Sequence, residues 1–386
     1  MRLLFLTDGL WPHALGGIQR HSTLLVGQLV ARSEQLTVVY CGAPGEPPPD
    51  PQKMGLAFPQ ATCERIEWVP VVFPKCGRLP GHYIRESRKY SRRIVGALGD
   101  LSRFDACYAQ GLTGLSLLGS RLPVMVNLHG LNMFQVTRSP AQWLVKRMFQ
   151  PAARQILRAD AVVSLGGDLT RILIDSGCES SRIVTLPNGL DVSELLENSG
   201  PSDTLSISTS PASPRFILIG RHEQAKGFDV LTAALAEMDL AIDLDLVGEW
   251  PALVSPPHRI VHHGVVMDRE KLLQLMDSAD VLLSPSHSEG MPTVILEAMA
   301  RGLAVVATDV GAVGELVNDS TGWLVPAGDA NAFAKAVTCA AWAQASTREA
   351  MGRKARENVE QYLWPQVAEQ TMAALEKMVK TGLESD

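Results

Sequence analysis

The chain has 386 residues, about twice the usual length of one domain, so two domains are expected. Hydrophobic residues make up 46% and charged residues 20%, as in a globular protein with ample core, while only 5% aromatics leave little material for base-stacking platforms. Residues 1–186 hold 21 Lys and Arg against 13 Asp and Glu, a net of +8, and the other 200 hold 14 against 28, a net of −14. That asymmetry separates two domains with different partners: the acidic half excludes an extended nucleic-acid footprint, and the basic half suits an anionic acceptor or membrane surface.

The chain opens on Met1-Arg2-Leu3-Leu4-Phe5-Leu6-Thr7-Asp8. Its apolar run is too short for a signal segment and reads as a first buried strand. No stretch approaches the ~18 uninterrupted apolar residues of a spanning helix, so the expected location is cytoplasmic. Short runs rich in Val, Ile and Leu follow at 36–42, 105–111, 123–130, 161–166 and 183–189. After a break they resume at 215–221, 242–249, 259–266, 280–286, 303–311 and 322–329. Such runs are apolar on both faces, as parallel strands covered by helices must be. Helical patterns alternate with them at 18–32, 228–238, 268–278, 289–301 and 330–345. The alternation predicts α/β architecture: two Rossmann-like, doubly wound domains facing across a cleft, with ligands at the carboxyl ends of the strands.

The boundaries are expected as 1–190 for the first domain, 191–214 for a linker, 215–365 for the second domain and 366–386 for a closing helix. The linker centres on the Ser- and Pro-rich segment 199–214. The closing helix is marked by Val367, Met372, Leu375 and Met378 at helical spacing. In the first domain, Arg85, Arg88, Lys89, Arg92 and Arg93 recur at helical spacing, with Tyr83, Tyr90, Ile94 and Leu98 on the opposite face. This helix is either docked with a solvated basic side or a contact for the acceptor or an anionic membrane. The six cysteines form neither a Cys-x-x-Cys pair nor a metal-ligand spacing and read as reduced residues.

Chemistry concentrates in the second half. Glu289 and Glu297 flank the turn Gly290-Met291-Pro292-Thr293, which opens a helix whose first amides point outward and favour anions. More than two helical turns apart, the carboxylates cannot pair locally and reach different parts of one ligand. Glu297 stands in the apolar setting Val294-Ile295-Leu296-Glu297-Ala298-Met299-Ala300, where a solvated face is the weaker reading because an unpaired carboxylate would be costly. Arg221 ends a strand and Lys226 follows before Gly227, a planar fork and a point charge suited to a diphosphate. Asp243 and Asp245 lie on one face of a strand with no nearby loop, which favours a structural role over a metal site.

In these motifs the chain resembles the retaining GT-B-fold glycosyltransferases that include bacterial mannosyl-, glucosyl- and N-acetylglucosaminyltransferases. The shared pieces are Gly16-Gly17, Leu128-His129-Gly130, 186–191 (LPNGLD), 220–231 (GRHEQAKGFDVL), 246–249 (LVGE), Glu289 and Glu297 with seven residues between them, and 307–317 (ATDVGAVGELV). They run in order to about Trp364. The resemblance implies that Glu297 binds the ribose hydroxyls and that Arg221 and Lys226 stabilise the departing diphosphate. It implies that amides from Gly290 through Met291, Pro292 and Thr293 to Val294 hold donor sugar and phosphate, with Glu289 near the sugar ring. His129 would sit by the donor sugar and the Gly16-Gly17 loop by the diphosphate and acceptor. The implied donor is a UDP-sugar or GDP-sugar, the acceptor a glycan or lipid-linked molecule, and no metal is expected because Arg and Lys replace its charge. One departure is Trp250, where the family has Gly. A sugar-nucleotide isomerase and a non-catalytic sugar-nucleotide-binding subunit on the same scaffold are the alternatives. The pairing of GRHEQAKG with LPNGLD argues against the first and the intact site set against the second.

Overall fold

In the computed structural model, the structure describes residues 1–11, 17–43, 45–46, 49–50, 64–74, 82–131, 135, 140–195 and 214–383. Gly16 and all but the last residue of the 199–214 segment lie outside them. The chain divides into two compact units, Met1–Gly189 with Trp364–Asp386, and Leu190–Leu363.

The first unit carries β1 (Arg2–Leu6), α1 (Gly17–Arg32), β2 (Gln35–Cys41), β3 (Ile66–Val71), α2 (His82–Leu98), β4 (Ala106–Gln110), β5 (Val124–Asn127), α3 (Pro140–Ile156), β6 (Ala161–Ser164), α4 (Asp168–Asp175) and β7 (Ile183–Thr185). Its strands form one parallel sheet in the order β3-β2-β1-β4-β5-β6-β7. The second unit carries β8 (Arg215–Ile219), α5 (Phe228–Glu237), β9 (Asp243–Val247), β10 (Arg259–Gly264), α6 (Arg269–Asp277), β11 (Val281–Ser284), α7 (Thr293–Ala300), β12 (Ala304–Asp309), β13 (Gly322–Pro326), α8 (Ala330–Trp342) and α9 (Ala345–Val359). Its sheet, also parallel, runs β10-β9-β8-β11-β12-β13. In each sheet the order reverses once, between β1 and β4 and between β8 and β11, and open α/β sheets bind ligands outside the carboxyl ends at such a reversal.

The strands expected from apolar runs are all present, and the central ones are buried on both faces, as in β1, β4, β5, β6 and β11. One further strand, β3, reads Ile-Glu-Trp-Val-Pro-Val and lacks the apolar signature because it is the edge of its sheet. Its Pro70 is tolerated there, where no ladder donor is needed on the outer side. The closing helix is α10 (Trp364–Leu383), two residues longer at its start than expected. Val367, Met372, Leu375 and Met378 are all buried, and they pack with Leu25, Val26, Leu29 and Val30 of α1 against β1 and β2. The last helix of the chain is therefore part of the first unit's core. Trp364 rests on Gly189, where a side-chain Cβ would come within 2.2 Å of the indole.

On α2 the five basic residues are exposed, and Tyr90, Ile94 and Leu98 are buried as expected. Tyr83 is 39% exposed instead, because it stacks on Phe149 of α3 rather than entering the core. Glu86, buried between them, pairs with Arg85 at 2.9 Å and Lys89 at 3.2 Å.

Candidate active site

In the second unit, β8 and β11 run side by side and deliver the two loops that follow them to one edge. The loop after β8 ends in a turn, Gln224–Lys226, closed by Gly227 in the left-handed region at φ +68°. A Cβ at Gly227 would lie 1.8 Å from the Pro285 carbonyl oxygen, so only glycine allows this loop to press on the one after β11. His287 seals the contact by donating its backbone N–H to the Ala225 carbonyl at 2.7 Å. The consequence is that Lys226 meets Glu289: Nζ donates to Oε1 at 2.7 Å, and Ser286 Oγ donates to the same oxygen at 2.8 Å. Both side chains are mostly shielded, 25% exposed for Lys226 and 12% for Glu289.

Glu289 and Gly290 are fixed from the other side by the loop after β12. Gly311, at φ +59°, passes so close that a Cβ would sit 2.3 Å from the Glu289 carbonyl oxygen, and Ala312 N–H donates to the Gly290 carbonyl at 2.9 Å. Gly290 and Met291 belong to this pinned loop, Pro292 is the residue before α7, and Thr293 and Val294 are its first two residues. Amides in the first turn of a helix have no intrahelical acceptor, so Thr293 and Val294 present donors beside the Lys226–Glu289 pair.

Glu297, one helix turn further on, is 8% exposed. Its carboxylate has a protein partner that the sequence did not suggest: Arg269, the first residue of α6, approaches Oε2 with Nη1 at 3.4 Å. The same guanidinium binds Glu194 through Nη2. Arg221 stands apart from this group. Its side chain is 77% exposed and pairs with Glu223 at 2.9 Å.

Asp245 is buried in β9 and held by Arg215 at 2.5 Å and His263 at 2.6 Å, which keep its carboxyl below the usual range against the opposing effect of burial. Asp245 thus ties β8, β9 and β10 together. Among the described residues no group of three or more His, Cys, Asp or Glu is placed to hold a metal. Trp250 is 8% exposed and stacks on Phe228 with ring centroids 5.3 Å apart, while its indole N–H donates to the Val247 carbonyl at 3.1 Å. The ring that departs from the family pattern is core packing beneath the loop after β9.

In the first unit, His129 follows β5 at φ +57°, uncommon for a residue with a side chain. Asn127 holds it there: its Oδ1 accepts from the His129 backbone N–H at 2.8 Å, and its Nδ2 donates to the Tyr108 hydroxyl at 3.0 Å. His129 Nε2 is 2.5 Å from the Gln110 side-chain amide, within hydrogen-bonding distance. Burial pushes the His129 imidazole down to about 4, so the ring is neutral at neutral pH. His21, on α1, lies edge-on to His129 with centroids 4.9 Å apart, touches the Trp364 ring at 5.0 Å, and is held well below its ordinary value mainly by burial. The indole N–H of Trp364 and the Nε2 of Gln110 are buried without a partner among the described residues. Gly17 is the first residue of α1, and a Cβ there would meet nothing within 4 Å among the described residues.

His21, Gln110, Ser286, Arg269 and Glu194 were not among the residues singled out from the sequence. Gln110 and Ser286 end or follow strands at the reversal points, which was a usable signal. Arg269 carried a weaker one, since a cation in the first turn of a helix opposes the macrodipole and implies a specific partner.

The sequence profile described as "Glycosyl transferases group 1" matches residues 213–341, and that described as "Glycosyltransferase Family 4" matches residues 15–194. A phosphatidyl-myo-inositol mannosyltransferase of Mycobacterium leprae is 28% identical, covering 95% of this chain and 94% of its own. The sulfoquinovosyl transferase of Arabidopsis thaliana is 27% identical over 63% of this chain and 49% of its own length, so this chain spans about half of that relative. Among solved structures, sucrose-phosphate synthase from Thermosynechococcus elongatus superimposes with a TM-score of 0.76 at 19% identity, covering 98% of this chain and 99% of that one. Anabaena HepE, solved in complex with UDP and glucose, gives 0.67 at 20% identity over 98% and 100%.

Proposed function

We propose that this chain, whose two parallel-sheet α/β units have the GT-B fold and match glycosyl transferase profiles, moves a hexose from a nucleoside-diphosphate sugar to a glycan or lipid-linked acceptor, with retention and without a metal. The observation that carries the reading is the Lys226–Glu289 pair beside the first amides of α7, a cation and donors converging at the sheet edge where ligands bind. A solved relative of the fold carries UDP and glucose, which supports a UDP-sugar or GDP-sugar donor.

In this reading the bond between the anomeric carbon and the diphosphate oxygen breaks while the acceptor oxygen bonds to the same face of the sugar. The departing phosphate takes the acceptor's proton, so no covalent nucleophile is needed. Charge grows on the leaving phosphate, and Lys226, with Arg221 swinging from the surface, stabilises it along with the amides of Thr293 and Val294. Glu289 orients the sugar, Glu297 binds the ribose, and the neutral His129 sits by the donor sugar. The Gly16-Gly17 loop approaches the diphosphate.

The basic face of α2 supports a lipid-linked acceptor, as does the printed name of the mannosyltransferase relative. Trp143, Leu144 and Met148 on neighbouring α3 are exposed, and the Arg147 guanidinium lies 5.3 Å from the Trp143 ring. Apolar rings beside cations suit the surface of an anionic bilayer. No helix among the described residues is long and apolar enough to cross one.

The test is incubation with UDP-, GDP- and ADP-hexoses and panels of glycan and lipid acceptors, following nucleotide release with and without excess chelator. The expected result is release with one nucleotide class, undiminished by chelator, with the product glycoside keeping the donor's anomeric configuration. A rearranged sugar nucleotide without release would establish the isomerase instead. Activity lost to chelator and restored by Mg²⁺ or Mn²⁺ would refute metal independence.

A further inference from the structure

Glu194 and Glu297 are both shielded carboxylates, 5% and 10% exposed at their side chains, and they share one guanidinium. They come from distant parts of the second unit. Glu194 ends the short turn Val192–Glu194, Glu297 sits in α7, and Arg269 opens α6 between them. Asp268 caps α6 by accepting from the backbone of Glu270 at 3.0 Å and Lys271 at 3.4 Å, which fixes the direction in which Arg269 leaves the helix. Glu194 is itself anchored, since its carbonyl accepts from Arg301 and Arg301 is bound by Asp277. The guanidinium is thus pinned at Nη2 by Glu194 and presents Nη1 to Glu297.

Two facts distinguish this arrangement from an ordinary surface ion pair. The Arg269 side chain is only 32% exposed, and its Nε–H is buried without a partner among the described residues. A stability device would pair the guanidinium face to face with one carboxylate, because a bidentate fork satisfies more donors and loses less to desolvation. Here the fork is divided between two carboxylates, and the longer contact, 3.4 Å, is the one to Glu297. That contact sets where the Glu297 carboxylate stands.

We infer that Arg269, braced by Glu194, is a positioning residue that holds Glu297 in the orientation that accepts the ribose hydroxyls of the nucleotide. The inference rests on the ribose role proposed for Glu297 above. A rotating carboxylate would spread its acceptor directions over several rotamers and hold two vicinal hydroxyls poorly. A carboxylate held at Oε2 by a braced guanidinium keeps one orientation.

The experiment measures calorimetric affinity for UDP, GDP and ADP, and then for the 2′,3′-dideoxy form of whichever binds most tightly. Wild type should prefer the ribose form by about tenfold or more, the ratio expected of a charge-assisted hydrogen bond. Glu297→Gln should lower that preference. Arg269→Met should lower it to about threefold or less, because the carboxylate loses its fixed direction, while the dideoxy form binds as in wild type because the diphosphate contacts are intact. Glu194→Gln keeps the shape of the brace and weakens it, so its preference should fall between the two, and it tests the inference even where Arg269→Met does not fold. A wild-type preference retained in folded Arg269→Met or in Glu194→Gln overturns the inference while leaving the role of Glu297 standing. No preference in wild type, or an unchanged one in Glu297→Gln, overturns the ribose assignment and the inference with it.

Discussion

Replacing Lys226 by Ala removes one ammonium whose position is set by backbone contacts rather than by its own flexibility. The Gly227–Pro285 approach and the His287–Ala225 hydrogen bond hold its loop, so the substitution leaves the loop in place. A unit charge about 4 Å from a developing phosphate charge contributes about 4 kcal/mol at an effective dielectric of about 20. Glu289 at 2.7 Å already draws on that ammonium, so roughly two thirds of the interaction is available to the leaving group, close to the loss seen when one preorganised donor is removed. Turnover should therefore fall by about 10² at saturating donor. Stability should change far less, by about 1 kcal/mol, because the pair is partly hydrated and Ser286 still donates to Glu289. The assay is steady-state nucleotide release beside a thermal melt of the same preparation. Turnover within threefold of wild type, with an unchanged melt, would refute the assignment of Lys226 to the leaving group. Equal loss in Arg221→Ala would show that the exposed guanidinium swings in, whereas no loss would leave Lys226 and the amides to stabilise the phosphate alone.

Gly227→Ala should prevent the two loops from meeting, since the new Cβ would fall 1.8 Å from the Pro285 carbonyl oxygen at a strained φ; a melt lowered by several degrees with turnover lost is expected, and a wild-type melt would contradict the packing. Stability of the first unit should fall as pH drops from about 6.5 toward 4, because His129 stays neutral in the folded state while the unfolded imidazole takes a proton. His129→Gln should flatten that dependence in a pH series of melts, leaving the part due to His21. Changing Arg88, Lys89, Arg92 and Arg93 together to Ser should abolish salt-sensitive sedimentation with anionic vesicles, at about 1 kcal/mol per cation; equal sedimentation of the two proteins would return α2 to a purely structural role.

What could be read in advance follows the range of the forces involved. The buried strands announce themselves because parallel strands covered on both sides must be apolar throughout, and the four marker residues of α10 because helical spacing is local. β3 escaped because an edge strand may carry Glu67 and Pro70 without penalty. The site divides in the same way. Glu289, Lys226 and the amides of α7 sit in short motifs whose turn chemistry is written in adjacent residues. Arg269 and Glu194 are 75 residues apart, and nothing in either neighbourhood names the other. The sequence argument that a carboxylate in the apolar setting of Glu297 requires a partner was sound, but it pointed to a ligand and overlooked the guanidinium that the fold brings up. Trp250, a departure in the sequence, turned out to belong to the core.

The backbone passes from one unit to the other at Gly189–Leu190 and back at Leu363–Trp364, and these crossings are stitched together: Leu190 bridges Leu363 and takes the Tyr362 carbonyl at 2.7 Å, while Trp364 lies on Gly189. For an engineer this makes residues 190–363 a cassette. Its two ends are already paired, so it can be lifted out or exchanged for the corresponding piece of another transferase through one pair of neighbouring junctions. Its host is not so divisible. Cutting after residue 189 would strip α10 from α1 and uncover Met372, Leu375 and Met378, so a fragment intended to stand for the first unit must be spliced from both of its segments.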